Sequence, residues 1–195
     1  AVVIPLVLWQ WPPALPAMTT QPDEPSTHAE YYQELLDHLA TLPSMPTRIE
    51  VVPTKAHFEV AYVAPTVAIA RGWERQVDTA ENPLFYGPEP LDAAGYLSWL
   101  LRTGTQYVAL SDAPLDYAAI EEAAVVRAGV AGLTPVWQGA HWQLFRVDAG
   151  EGVLEGPAVL ESLRGDDVVL RVTDSGIVRL RLRYNANWRV SPEPD

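Results

Sequence analysis

Two groups of residues in this chain have side chains and spacing suited to chemistry or recognition. The first is His57-Phe58-Glu59, an imidazole and a carboxylate two positions apart. On an extended strand such positions share a face, so the pair points the same way. Joined by His141, it has the composition of a metal site or an acid/base pair. The plainer reading gives each histidine (His28, His38, His57 and His141) a hydrogen-bonded place in or near the core. The second group is Arg71-Gly72-Trp73-Glu74-Arg75-Gln76-Val77-Asp78, followed by Tyr86. Guanidinium groups are planar forks that match carboxylates and phosphates, and an indole stacks on apolar ligand faces. That mixture suits a sugar or a phosphate. It also suits an internal salt-bridge network that pins a long loop to the body. The candidate ligand-binding residues are therefore His57, Glu59, Arg71, Trp73, Glu74, Arg75, Asp78 and Tyr86.

No catalytic residue is assigned. The chain holds no GxSxG elbow, no P-loop, no GxGxxG and no HExxH. It has no cysteine, which excludes disulfides, thiolate metal sites and a cysteine nucleophile. No metal site and no cofactor are assigned. The formal net charge of -12 repels phosphate backbones and argues against a nucleic-acid partner. Lys55 is the sole lysine, so nearly all positive charge is arginine. Arg179, Arg181 and Arg183 alternate with Val178, Leu180, Leu182 and Tyr184. Such a stripe either meets anionic lipid headgroups or forms a solvated face that protects a sheet edge.

The elements that must position these groups follow from periodicity. The first residues, with Val2, Val3, Ile4, Val7 and Leu8, read as a strand, or as the stub after a membrane span with Trp9 and Trp11 near the interface. Residues 12–25 are Pro-rich and polar and read as a linker. Thr27 and Glu30 have capping-box spacing and open a helix with Tyr31, Leu35, Leu39 and Leu42 on one face. Pro43 and Pro46 end it. Residues 48–52 read as a strand, and His57 to Val63 as a second extended run. Residues 64–90 form a long connection with little periodicity, which in a compact domain is functional or packed by its own side chains. Asp92 caps a helix that Gly104 ends, and Asp116 caps another that Gly129 ends. Residues 106–110 form a buried-type strand, expected beside 48–52. Pro135–Trp137 and Trp142–Val147 form a hairpin turned at Gly139. Val168–Thr173 and Ile177–Tyr184, joined by Asp174-Ser175-Gly176, predict a second hairpin. The expected fold is α+β. An α/β body over 26–150 has a mixed sheet and flanking helices. It follows a strand or linker at 1–25 and precedes a C-terminal β module at 151–195.

The middle of the chain also carries a family pattern. Its residues are Arg48 to Glu59, Tyr62-Val63-Ala64-Pro65, Ala70 to Gln76 and Asn82-Pro83-Leu84-Phe85-Tyr86. It continues at Tyr107 to Leu110, Asp116-Tyr117 and His141 to Phe145. Over roughly residues 45–190 this resembles the C-terminal extracytoplasmic region of large actinobacterial integral membrane proteins. Those are similar to membrane glycosyltransferases that use polyprenyl-phosphate sugars. The resemblance implies a module on the extracytoplasmic side of the cell membrane, attached to a membrane-embedded part of the same polypeptide. It implies a role in handling a glycan or a lipid-linked sugar. In such transferases the catalytic carboxylate lies in loops between membrane spans, so no catalytic residue carries over. The alternative is a structural or protein-interaction module with no ligand site.

Overall fold

The computed structural model describes residues 24–45, 47–72, 74–165 and 167–191. The expected strand or stub at the start of the chain lies outside them. A single 3-10 turn, Pro25–Thr27, leads into helix α1 (Ala29–Ala40). Thr27 does not cap that helix as the spacing predicts. Its hydroxyl donates to the Glu24 carbonyl at 2.8 Å, and His28 takes the cap position, where its side chain makes no cap hydrogen bond. The proline at the start of the turn fixes φ one residue early and shifts the helix start. Tyr31, Tyr32, Leu35 and Leu39 still form its buried face.

Strand β1 (Arg48–Val51) follows, then a short helix α2 (Glu59–Tyr62) and strand β2 (Ala68–Ile69). Helices α3 (Arg75–Glu81) and α4 (Ala93–Thr103) lead to strand β3 (Tyr107–Ser111). Helix α5 (Ile120–Ala128) precedes the hairpin β4 (Leu133–Gln138) and β5 (Trp142–Val147). Asp92 caps α4 by accepting from the Gly95 amide at 2.7 Å, and Gly104 ends it in the left-handed region. These starts and stops are where the sequence puts them.

The five strands order as β2-β1-β3-β5-β4. β1 runs parallel to both β2 and β3, while β5 runs antiparallel to β3 and β4. The sheet is thus mixed, the fold is α+β, and strands 48–52 and 106–110 are neighbours as expected. Helices cover both faces. On one face α1 packs with Ile49, Val51, Ala109, Trp142 and Leu144. On the other, Tyr96, Trp99 and Leu100 of α4 and Ala123 and Val126 of α5 pack with Val108 and Leu110. Strand alternation sends Ile49 and Val51 to the α1 side, so Glu50 between them points into the α4/α5 layer.

The run from His57 to Val63 departs from its expected extended form. His57 adopts φ 58°, which turns the chain out of the extended region, and Glu59–Tyr62 coil into α2. The Val63 amide donates to the Glu59 carbonyl at 2.8 Å, and Val63 is fully buried beneath that turn. His57 and Glu59 are brought together by a tight turn and not by strand pleat.

Beyond the hairpin lie β6 (Leu154–Glu155), β7 (Ala158–Leu163), β8 (Val168–Val172) and β9 (Arg179–Leu180). The predicted hairpin between 168–173 and 177–184 does not form. β8 pairs antiparallel with β7, and β9 pairs antiparallel with β6. Alternation specifies a strand but not its partner. Here the partner is chosen by charge and backbone. The Arg181 amide donates to the Val153 carbonyl at 2.7 Å, and its guanidinium reaches Glu151 and Glu155 at 2.9 and 3.3 Å. Arg179 also pairs with Glu155, at 3.1 Å, and Arg183 with Glu81. The arginine stripe is therefore matched by carboxylates of the same protein.

Candidate functional site

The carboxyl ends of β1, β2 and β3 lie side by side, and the residues of interest follow each of them. His57 and Glu59 come after β1, Arg71 and Arg75 after β2, and Asp116 after β3. From β1 the chain passes to the α1 face, where Val63 and Val67 are buried, before returning as β2. From β3 it passes to the opposite face, through Ala119 and Ala123. Neighbouring parallel strands that send their loops to opposite faces make a topological switch point, the usual place for ligands in open α/β sheets.

Arg71 enters the interior directly after β2. Its side chain is 1% exposed. Nε donates to Glu50 Oε1 at 3.0 Å, Nη2 donates to Glu122 Oε2, and Nη1 lies 3.8 Å from Asp78 Oδ2. The guanidinium also stacks over the Phe85 ring, 3.6 Å from its centroid. The carboxylates have further partners. Tyr96 donates to Glu122 at 2.8 Å, and Asp78 accepts from Asn82 at 2.7 Å and from Tyr86. Asn82 in turn accepts from the Trp99 indole at 2.9 Å. Burial pushes Glu50 well above the usual carboxylate range. Arg71 pulls it down, while Glu122 and Asp78 push it further up. Glu122 is likewise raised by burial, against the pull of Arg71. Burial works against the charge on Arg71, but Glu122, Glu50 and Asp78 outweigh it and raise its pKa. A single cation facing several buried carboxylates keeps its charge, while burial favours the neutral form of Glu50. The result is a buried network joining β1, β2, α3, α4 and α5, in which Glu50 Oε2 alone has no hydrogen-bond partner among the described residues.

Arg75, at the start of α3, has a different setting. It binds Asp116 through two parallel bonds of 3.0 and 2.8 Å. Asp116 also accepts from the Ala118 amide at 2.9 Å, so one carboxylate caps a helical turn and clamps the arginine. His57 Nε2 lies 3.3 Å from Asp116 Oδ2, and Nδ1 lies 3.6 Å from Glu59 Oε1. The latter is an ion-pair separation, too long for a direct hydrogen bond. Glu59 itself accepts from Thr54 at 2.8 Å. The Glu59 carboxylate raises the His57 pKa, burial opposes it, and Asp116 adds to the rise. Burial pushes Asp116 up, but Arg75 and the Ala118 amide together hold it below the usual range. The Arg75 guanidinium sits 4.4 Å from the Tyr117 ring centroid, and Tyr117 is 67% exposed. This second cluster opens to solvent where the first is sealed.

The structure thus divides the candidates. Arg71, Asp78 and Tyr86 belong to the buried network, and His57, Glu59 and Arg75 to the open cluster. Glu74 is exposed at the cap position of α3 and makes no side-chain cap bond. The Trp73 side chain lies outside the described residues. His141 does not join His57 and Glu59. It pairs with Asp112 at 3.0 Å, because it follows the turn into β5 and faces the loop after β3. Among the described residues no group of three or more His, Asp or Glu is arranged to hold a metal ion.

Sequence reading missed Glu50, Glu122, Asp116 and Tyr117 as members of these clusters. Glu50 carried a signal: a charged residue between Ile49 and Val51 in a buried strand is rare unless paired. Asp116 reads from the sequence as a helix cap and as part of the family pattern, and its pairing needs the position of Arg75. Comparison with known proteins gives no match: no family model, no curated protein and no solved structure is similar to this chain.

Proposed function

We propose that this chain is a non-catalytic extracytoplasmic module that holds a glycan or lipid-linked sugar for a membrane glycosyltransferase-like region of the same polypeptide. The observation that carries the reading is the open cluster at the switch point. There an exposed Tyr117 ring adjoins the Arg75–Asp116 pair and His57. A sugar needs one flat apolar face to stack on and planar polar groups at its rim. Tyr117 offers the first, and Arg75, Asp116 and His57 offer the second. The buried network serves as the foundation. Arg71 ties the end of β2 to β1 and α5, so Arg75 projects from a rigid start of α3.

No described helix is long and apolar enough to cross a membrane. A glycan array followed by calorimetry tests the reading. Tyr117→Ala and Arg75→Gln each weaken the glycan found by at least about tenfold, or about 1.4 kcal/mol. A glycan that binds wild type and Tyr117→Ala equally would sink it. The second reading is a structural module without a ligand site. The buried Arg71 network favours it, because Arg71 and Asp78 spend their donors and acceptors on each other and their neighbours. No binding across the array, with retention by the membrane-embedded part, is the outcome that selects it.

A further inference from the structure

A large cavity lies away from the switch point, at the opposite end of β1. Its volume is about 1060 Å³, above the ~300–1,000 Å³ of typical small-molecule sites. The outer strand β2, the end of α4 and the segments 163–165 and 181–188 wall it. Five arginines line it: Arg48, Arg102, Arg164, Arg181 and Arg183. Among the described residues Glu81 is the one carboxylate in the lining, and it pairs with Arg183. Trp99 and Trp188 contribute aromatic surface. A chain of net charge -12 therefore gathers five of its arginines around one hollow.

The arginines are not all neutralised by the protein. Arg181 has Glu151 and Glu155, and Arg183 has Glu81. Among the described residues no carboxylate pairs with Arg48, Arg102 or Arg164. Arg48 donates Nη1 to two carbonyls, those of Thr103 and Arg181, while its buried Nε has no partner. Burial and the nearby Arg183 both work against the charge on Arg48. Like charges crowded in a concave wall focus a positive field, and an anion that enters relieves their repulsion. Guanidinium forks match phosphate oxygens in pairs, better than they match a spherical anion.

We infer that the arginine-walled cavity between β2, α4 and segment 181–188 is a binding site for a phosphate ester. Its volume admits the phosphate together with part of what it is esterified to. The phosphate belongs either to a soluble ester or to a lipid headgroup, and the cavity chemistry is the same for both. The inference is independent of glycan binding at Tyr117, since the two sites share no residue.

Inorganic pyrophosphate is titrated into the whole chain by calorimetry, with tryptophan emission as a second readout because Trp99 and Trp188 line the cavity. In parallel the chain is floated with phosphatidylcholine vesicles with and without phosphatidylglycerol. The double variant Arg102→Gln/Arg164→Gln removes two exposed, unpaired arginines without touching the core. Arg146→Gln, on the far hairpin, is the charge-matched control. Saturable pyrophosphate binding that falls at least tenfold in the double variant, and not in the control, supports the site and a soluble ester. Flotation only with phosphatidylglycerol, lost in the double variant, supports a lipid headgroup. No binding in either arm, or binding that the double variant leaves unchanged, overturns the proposal. Glycan binding by the double variant stays as in wild type, so failure here is separable from failure at Tyr117.

Discussion

Among the described residues Arg71 is the only cation paired with Glu50, Glu122 and Asp78 in the interior. Arg71→Met keeps the bulk of the stem but leaves those carboxyls without a counter-charge. Breaking a buried pair this way costs roughly 3–5 kcal/mol. Urea denaturation at neutral pH is expected to register a loss of that size. Glu50→Gln gives the opposite outcome. Burial favours the neutral Glu50 carboxyl, and an amide oxygen still accepts from Arg71, so the change is expected to stay within about 1 kcal/mol. A large loss in Glu50→Gln would mean that Glu50 is ionised. His57 gives a pH dependence. Its pKa is raised in the fold, so its contribution is full below the ordinary value of 6.5 and is lost as pH rises through the raised value. His57→Asn tolerates the left-handed backbone and removes that titration. The difference in Tm between wild type and variant is expected to shrink from about pH 6 to about pH 8. Asp116 is shifted down, so its stabilisation is lost only as pH falls through its lowered value, well to the acid side of the His57 window.

At the scale of elements, α4 carries its boundaries in the sequence, and both can be tested. Asp92→Ala removes the acceptor for the Gly95 amide and costs about 1 kcal/mol. Gly104→Ala is worse. The position has φ 69°, and an added Cβ would lie 2.4 Å from the Gly152 carbonyl oxygen. Left-handed strain and a backbone clash together cost about 2–4 kcal/mol. Thermal melts of the two variants are expected to rank in that order. The contact also shows why the glycine is needed: the helix end packs against the first residues of the C-terminal strands. Of the C-terminal strands, β8 and the run that holds β9 were legible as strands, but β6, β7 and the pairing were not. The run from 177 to 184 has the alternation of a hairpin partner for β8. Arg179 and Arg181 instead find Glu155 of β6.

For the whole molecule, the C-terminal strands are fastened to the body at a few points. Val153 is fully buried, its amide donates to Thr47 at 3.1 Å, and Arg48 reaches the Arg181 carbonyl at 2.9 Å. A chain ending at Ala149 keeps both core layers around the five-stranded sheet but exposes what Val153 covers. Burial of one valine is worth about 1.5–3 kcal/mol. The shortened chain is expected to keep its helical circular dichroism and to melt cooperatively at a lower Tm. It also loses the cavity wall formed by 181–188, and with it the pyrophosphate response.

By itself the sequence determined the elements whose signals are local. The apolar stripe of α1, the caps at Asp92 and Asp116, the stop at Gly104, the β4–β5 hairpin and the α+β class all follow from spacing and turn chemistry within a few residues. Tertiary structure decided what depends on residues far apart in the chain. Arg71 and Asp78 could serve a ligand or a buried network, and only their meeting with Glu50 and Glu122 selected the network. The arginines of the large cavity are spread from Arg48 to Arg183, and no local pattern links them. The physical reason is range. Propensity, capping and pleat act within a turn or a strand, whereas charge pairing, burial and a concave wall exist only once distant segments share a space.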